Sequence, residues 1–586
     1  MKGHLWCYLV AAVCLALANA EPSAKLTKPK KPIEERRPRD VSKYEGEYRD
    51  CDAVPPYLPP TAIETGERLK NLRTEMTALG LSAYLVPPGD SHQSEYIALR
   101  DKRRQYISGF TGSAGLAIVT TDMAALWTDG RYYLQADMQL DCNWILMKEE
   151  EAGTPTPEDW LVEVLSDGDQ VGFDPTIMSI SKYYMNCEYD SYNSTFEAAD
   201  GGNPVLVSVV GNLVDIVWGA DAETPQPDYP DEPLLILDWE KYTGETWQQK
   251  IWEYDGSNGL DSIRSKLNEA SADAIVVSKL DEVAWLFNLR GKDVPSNPMF
   301  FSYAIIKLDA IYLYLYDKDG RLVNDVKTHL GIGTGACVDE TTEAPECVTV
   351  RDYSKFLGDL ETLSEDRIWI SDQMSYAIYD RVPATVRYLM ASPVLHMKAV
   401  KSPKEIEGMN NAHFKDSIVL CELGAWLQET MDELEDPAVG DIEVLSELIV
   451  ADKAMKLREA MPDNEGLSFG AISAFGPNGA VIHYKSTEES NVPITNQGTF
   501  LFDSGSQYLD GTVDITQEKR KRKDEFEEDE HGEHREKNKV ENIWKRRREK
   551  KDKNKKTTEK NKRERGRRKT KKRRGELEGR RNGTLY

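Results

Sequence analysis

Residues 499–516, TFLFDSGSQYLDGTVDIT, constrain the fold more tightly than any other stretch of this chain. Two apolar, β-prone runs, 499–502 and 512–513, each end at an aspartate, Asp503 and Asp514. The polar stretch between them closes on Asp510-Gly511, a strong hairpin signal. Folding back there brings both carboxylates to neighbouring cross-strand positions, where like charges destabilise a sheet. A hard divalent cation, which takes carboxylate oxygens, converts that cost into a site. Spacing alone leaves the alternative open: two surface aspartates flanking a turn.

A chain of 586 residues has room for about three or four domains. Its formal charge of −26 is unevenly spread. Residues 1–516 carry 44 Lys and Arg against 84 Asp and Glu, whereas residues 517–586 carry 30 against 16. Such asymmetry marks a separate basic tail.

Residues 1–20 read as a secretory signal. Lys2 gives the positive start, residues 5–17 the apolar run, and Ala18-Asn19-Ala20 the small-residue cleavage site. The run is too short for a membrane span, and no other stretch reaches the ~18 apolar residues one needs. Secretion follows, and Asn193-Ser194-Thr195 is a candidate glycosylation acceptor. Cys7 and Cys14 lie in the signal, leaving Cys51, Cys142, Cys187, Cys337, Cys347 and Cys421. Six cysteines in an oxidising compartment allow about 15 connectivities. Cys337 and Cys347 bracket a short acidic loop and are the leading local pair. Cys421 sits in a helical pattern and reads equally as a buried thiol.

The expected organisation is α/β (α+β). A flexible leader spans 21–55, rich in Lys, Pro, Arg and Glu. A first domain spans 56–225, a second 232–392 and a third region 395–516, with a disordered basic tail over 517–586. Residues 65–79 predict an amphipathic helix, 83–86 a strand, and 114–120 with 124–127 a strand pair. The second domain predicts strands at 234–237, 274–277 and 311–316, a helix at 262–269, and an apolar run over 300–308. Helix, strand, Gly-bearing turn and paired strands thus recur, a weak sign of internal duplication. In the third region Ser402-Pro403-Lys404-Glu405 is a capping box with Pro at the first helical position. Ile406, Met409, Phe414, Ile418, Cys421 and Ala425 then mark its core stripe, with His413 beside it as a structural histidine. Gly476-Pro477-Asn478-Gly479 predicts a turn, and 480–484 a strand carrying His483.

Long strings carry a resemblance to a known family. GDSHQSEYIALRDKRRQYISGFTGSAGLAIV with WTDGRYYLQADMQ, and DEVAWLFNLRGKDV with NPMFFSYAII, resemble the two creatinase-like N-terminal domains of aminopeptidase P. DSGSQYLDGTVDIT resembles that family's first metal-ligand motif. The resemblance implies a pita-bread metallopeptidase domain following two related domains. It implies hydrolysis that releases the N-terminal residue from peptides with proline in second place. That bond is a tertiary amide with restricted geometry on both sides. The family is expected to use two divalent ions, manganese or alternatively zinc, which activate a water and stabilise the oxyanion. Asp503 and Asp514 match the first two metal ligands. His483 matches the active-site histidine that contacts the substrate carbonyl or the oxyanion. For His92, Arg103, Arg104 and Arg290, structural salt bridges and domain contacts are the leading reading.

The match stops after Thr516. The family continues with Arg-Thr and supplies a histidine and two glutamates as further ligands. This chain reads QEKRKRKDEFEEDEHGEHREK, where His531 and His534 lie in a charged run without core patterning. The catalytic domain therefore reads as truncated, with little or no peptidase activity. The alternatives are a non-catalytic relative that pairs as a homodimer through its first two domains, and a polyanion-binding arm. The tail's interspersed acids and scarcity of aromatics, with Phe526, Trp544 and Tyr586 the exceptions, argue against nucleic acid. Its residues, mostly Lys, Arg, Glu, Asp, Gly and Asn, can all be encoded by purine-rich codons, and one expected cause is translation through a retained intron or a misjoined coding sequence. Sequencing the transcript across Asp514–Gln517 is expected to show Arg-Thr following Thr516. Peptides containing Phe526 or Trp544 in the secreted product would overturn that.

Overall fold

The computed structural model describes residues 51–520 except 52, 60, 181–188, 200–202, 253–261 and 436–444. The signal, nearly all of the leader, Cys187, His531, His534 and the tail beyond 520 lie outside the described residues. Among the described residues no helix is long and apolar enough to cross a membrane.

The first sheet is built from β1 (Ala83–Val86), β2 (Leu116–Thr120), β3 (Ala124–Thr128), β4 (Ile145–Lys148), β5 (Gln170–Phe173) and β6 (Val205–Ser208). Its order is β4-β3-β2-β1-β5-β6. The three central strands β1–β3 are buried at every position. This is why they read as unbroken apolar runs rather than as alternation. Leu69, Leu72 and Met76 of the helix Gly66–Ala78 pack over the sheet with Tyr84 and Val86.

The second sheet contains β8 (Ala274–Val277), β10 (Ser302–Lys307), β11 (Ile311–Leu315), β12 (Val348–Asp352), β13 (Ile368–Ile370) and β14 (Arg387–Leu389). A short ribbon of β7 (Leu235–Ile236) and β9 (Leu289–Arg290) stands apart from it. The order β12-β11-β10-β8-β13-β14 repeats that of the first sheet. The pairing senses repeat as well. The second strand runs antiparallel to both the first and the third, and the outer three are added in parallel. The suggested duplication is therefore a duplication of topology.

Two buried polar centres serve these units. Arg321 and Asp293, both fully buried, make a bidentate pair with both distances 2.7 Å. His92 bridges the two units. Its Nδ1 lies 2.7 Å from the Ser278 carbonyl, which can only accept, so Nδ1 carries the proton. Nε2 then accepts from the Tyr353 hydroxyl at 2.7 Å. The ring stacks on Tyr303 with centroids 4.3 Å apart. Of the four residues expected in salt bridges and domain contacts, His92 makes the contact between units, and among the described residues only Arg103 forms ion pairs, with Asp215 at 2.7 Å and Asp101 at 2.9 Å. Arg104 and Arg290 donate to backbone carbonyls instead, and His92 is neutral.

In the third region the helix Pro403–Glu435 starts with the expected box: Glu405 N donates to Ser402 Oγ, and Ser402 N to the Glu405 carboxylate. It packs against the helix Glu447–Glu459 and two small sheets. One sheet is β15 (Asn464–Leu467), β18 (Ser506–Tyr508) and β19 (Gly511–Thr512); the other is β16 (Ile472–Phe475), β17 (Thr499–Ser504) and β20 (Ile515–Arg520). The expected core stripe is corrected. The buried positions are Ala412, Asp416, Val419, Leu420, Leu423 and Leu427, whereas Ile406, Phe414 and Ile418 face outward, Phe414 being 69% exposed. Both sets keep helical spacing, so periodicity could not say which face meets the sheets.

Burial pushes the His92 pKa down to about 4. The unfolded chain, with an ordinary histidine near 6.5, thus binds a proton that the folded one refuses. This contribution is intact above pH ~6.5 and is lost as pH falls towards ~4, by roughly 3 kcal/mol in all. Urea unfolding of the His92→Gln protein is expected to show a flatter pH dependence across that window than the parent. An unchanged slope would sink the assignment.

Candidate functional site

Asp503 lies on β17 opposite Ile472 of β16. The chain then crosses from one sheet to the other at Gly505. A Cβ there would lie 1.8 Å from the Val513 carbonyl oxygen, so only glycine allows the two backbones to meet. Ser506–Tyr508 and Gly511–Thr512 form the hairpin, with Tyr508 opposite Gly511 and Gln507 opposite Thr512. Asp514 follows it, just before β20, which runs beside β17. The two aspartates thus stand at the base of the hairpin, Asp503 on β17 and Asp514 at the entry to its neighbour β20 in the same sheet. The crossing at Gly505, which takes the chain from one sheet to the other between the two aspartates, was invisible in the hydrophobic pattern.

Three anchors hold this base against the helices. Lys415 of the long helix reaches Asp510 at 3.0 Å and Asp463 at 2.9 Å. The bare Cα of Gly408 lets the Asp510 turn sit directly on the helix, where a Cβ would be 2.3 Å from the Asp510 carbonyl. Arg458 and Asp416, 1% and 0% exposed, form a bidentate pair at 2.8 and 2.9 Å. Arg458 also donates to Ser504 Oγ, next to Asp503, and Tyr508 OH donates to Asp416.

Asp503, Asp514 and His483 line one cleft of about 400 Å³. Asp503 Oδ1 is buried there without a hydrogen-bond partner. A carboxylate oxygen in that state calls for a cation or an ammonium group. Among the described residues, however, no group of three or more His, Cys, Asp or Glu side chains is placed to hold a metal ion. The described residues therefore present two carboxylates there, a donor set too small for a pair of ions.

His483 departs from the sequence expectation. It lies beyond a short 3-10 turn at Gly476–Ala480, not on a strand, and has φ +55°. The cause is Glu447, fully buried, which accepts from Phe475 N at 2.6 Å, Asn478 Nδ2 at 3.1 Å and Tyr484 OH at 2.8 Å. Drawing Asn478 and Tyr484 onto one carboxylate bends the chain between them, leaving His483 at the bend. Its Nδ1 meets the Tyr132 hydroxyl of the first unit at 2.6 Å, and Tyr132 meets Ser113 Oγ at 2.6 Å. Neither Glu447 nor Tyr132 was recognised in the sequence. An acid in the first turn of a helix reads as a dipole partner, and a tyrosine after Asp-Gly-Arg reads as core.

The other candidate positions are plainly placed. Asn193 sits on the helix Tyr189–Ala198, with its amide donating to Glu197 at 2.9 Å. Disulfides join Cys337 to Cys347 and Cys51 to Cys142. Cys421 is free and exposed rather than buried. His413 donates from Nδ1 to the Met409 carbonyl at 2.8 Å.

The chain matches the Creatinase/Prolidase N-terminal domain over residues 68–197 and again over 225–405, and Metallopeptidase family M24 over 407–518. It is 37% identical over 477 residues to the Homo sapiens protein Xaa-Pro aminopeptidase 2, covering 80% of this chain and 64% of that protein. With the Drosophila melanogaster Xaa-Pro aminopeptidase ApepP it shares 38% over 460 residues, covering 78% of this chain and 68% of that protein. Among solved structures it is similar to X-prolyl aminopeptidase from Caenorhabditis elegans, described as a cytosolic enzyme with a di-nuclear active site. That likeness has a TM-score of 0.67 at 32% identity, covering 78% of this chain and 70% of that one. The chain thus spans about two thirds of the length of these relatives.

Removing the Glu447 carboxylate strands three donors at the bend that presents His483. Glu447→Ala is expected to destabilise the protein by about 3 kcal/mol, measured by urea unfolding. A loss below about 1 kcal/mol would show that the bend holds without it.

Proposed function

The chain belongs to the Xaa-Pro aminopeptidase family of M24 metallopeptidases, and on that premise we propose that its cleft receives the free N-terminus of Xaa-Pro peptides. The observation that carries this reading is the unpartnered, buried Asp503 oxygen in the cleft that Asp514 and His483 also line. Asp503 and Asp514 are proposed as the metal ligands, and His483 as the group that meets the substrate carbonyl. Oxygen-only donors favour manganese over zinc.

The described residues do not fit the family's pair of ions, since two carboxylates leave most of the coordination shells to water. We propose that residues 1–586 alone bind one divalent ion weakly and turn over Xaa-Pro peptides little or not at all. Secretion is proposed on the signal pattern of residues 1–20. The competing reading is a non-catalytic protein that pairs through its outward apolar helix face, where Ile406, Phe414 and Ile418 are exposed.

The test is calorimetric titration of the full chain with MnCl2, alongside an assay for the residue released from Arg-Pro-Pro. One ion with a Kd on the order of 0.1–1 mM is expected, lost in Asp503→Asn, with no measurable release. Two tightly bound ions and steady turnover would overturn the incomplete-site reading. No ion binding at all would leave the non-catalytic one.

A further inference from the structure

The same cleft is also lined by groups of the opposite charge. Arg104, Lys102 and Lys485 line it together with Asp503 and Asp514. Arg104 is only 6% exposed, and no carboxylate neutralises it. Its Nη1 donates to the Gly115 carbonyl at 2.8 Å and its Nη2 to the Gly112 carbonyl, while Nε is buried without any partner. Among the described residues none of the three cations forms an ion pair. A buried guanidinium held by two backbone acceptors and the face of Phe110, 5.0 Å away, with no carboxylate, is an expensive arrangement, and it persists only where something repays the desolvation.

The electrostatics agree with the geometry. Burial pushes the Arg104 pKa down to about 9. Lys102, half-buried, is held below the ordinary lysine range first by burial and then by the charge of Lys485. One acid, Glu95, also lines the cleft, but it is exposed and pairs with none of the three. A cleft of about 400 Å³, the size of a small-ligand site, is therefore lined by carboxylates, Asp503 with an unpartnered oxygen, and by the cations Lys102, Arg104 and Lys485. A short peptide zwitterion has the matching pair of charges, an ammonium group at one end and a carboxylate at the other.

We propose that Lys102, Arg104 and Lys485 form a subsite for the C-terminal carboxylate of short Xaa-Pro peptides, so that the cleft selects small free peptides over long or capped ones. This rests on the reading of the cleft as an Xaa-Pro peptide site. Charge-assisted hydrogen bonds from these groups hold the carboxylate, while the acidic residues of the cleft hold the amine.

The test compares Ala-Pro-Ala with its C-terminal amide by calorimetry on the full chain at low ionic strength, in parent and Lys102→Met/Lys485→Met proteins. Both lysines lie at least partly in solvent, so the double variant is expected to fold, and circular dichroism checks that. The free acid is expected to bind about tenfold more tightly than the amide, a difference of ~1.4 kcal/mol. The preference should shrink to within twofold in the double variant. Equal affinity for acid and amide in the parent would overturn the carboxylate subsite and leave the peptide reading standing. Failure of both peptides to bind would overturn the two together. A preference that survives the double substitution unchanged would remove the lysines from the subsite.

Discussion

The buried pair Arg458–Asp416 organises everything that bears on chemistry in this chain. It links two helices, Pro403–Glu435 and Glu447–Glu459, and through Ser504 and Tyr508 it fixes both ends of the strand crossing at Gly505. A pair so deep in the fold is costly to form and far more costly to break. What it provides here is register. With Ser504 tied to Arg458, Asp503 has one orientation, and its oxygen is turned to the cleft instead of to a neighbouring donor. Lys415 does the same for the hairpin tip from the other side, at much greater exposure.

The two N-terminal units show how one plan takes on different work. Each places three antiparallel strands at the centre and adds parallel strands outward. Each holds a closed pair, Arg103 with Asp215 in the first and Arg321 with Asp293 in the second, and each holds an arginine on backbone carbonyls, Arg104 and Arg290. They differ in what they offer the cleft: the first unit lines it with Arg104 and sends Tyr132 to His483. His92, neutral and enclosed by aromatic rings, joins the units through two directional hydrogen bonds rather than by charge.

What could be read from the chain follows from what is local. Unbroken apolar runs such as Ala83–Val86 and Ala274–Val277 and the box at Ser402 needed only their own neighbours to be recognised. The same is true of the Asp510-Gly511 turn. The direction of the long helix's inner face was not legible, because Phe414 and Val419 are equally apolar and only the packed sheets distinguish them. Nor were Glu447, Tyr132 and the free Arg104. The contact between Tyr132 and His483 spans 351 positions, a separation at which local pattern carries no information. The bend at His483 was missed for the related reason that a distant carboxylate, not a propensity, produces it. Family resemblance supplied the identity of the site residues; the geometry supplied their unequal states.

The disulfide between Cys51 and Cys142 reaches beyond the first unit's packing. It closes a loop across a sequence separation of 91 and so removes freedom from the unfolded chain, an effect of about 4–5 kcal/mol in the chain-entropy treatment. That is a large share of the net stability of an ordinary domain. A host that makes this protein in a reducing compartment would deliver the same sequence with a measurably looser amino-terminal unit. The wall of the cleft that Tyr132 and Arg104 provide would loosen with it, so redox history at the time of folding becomes a determinant of how well the cleft is built.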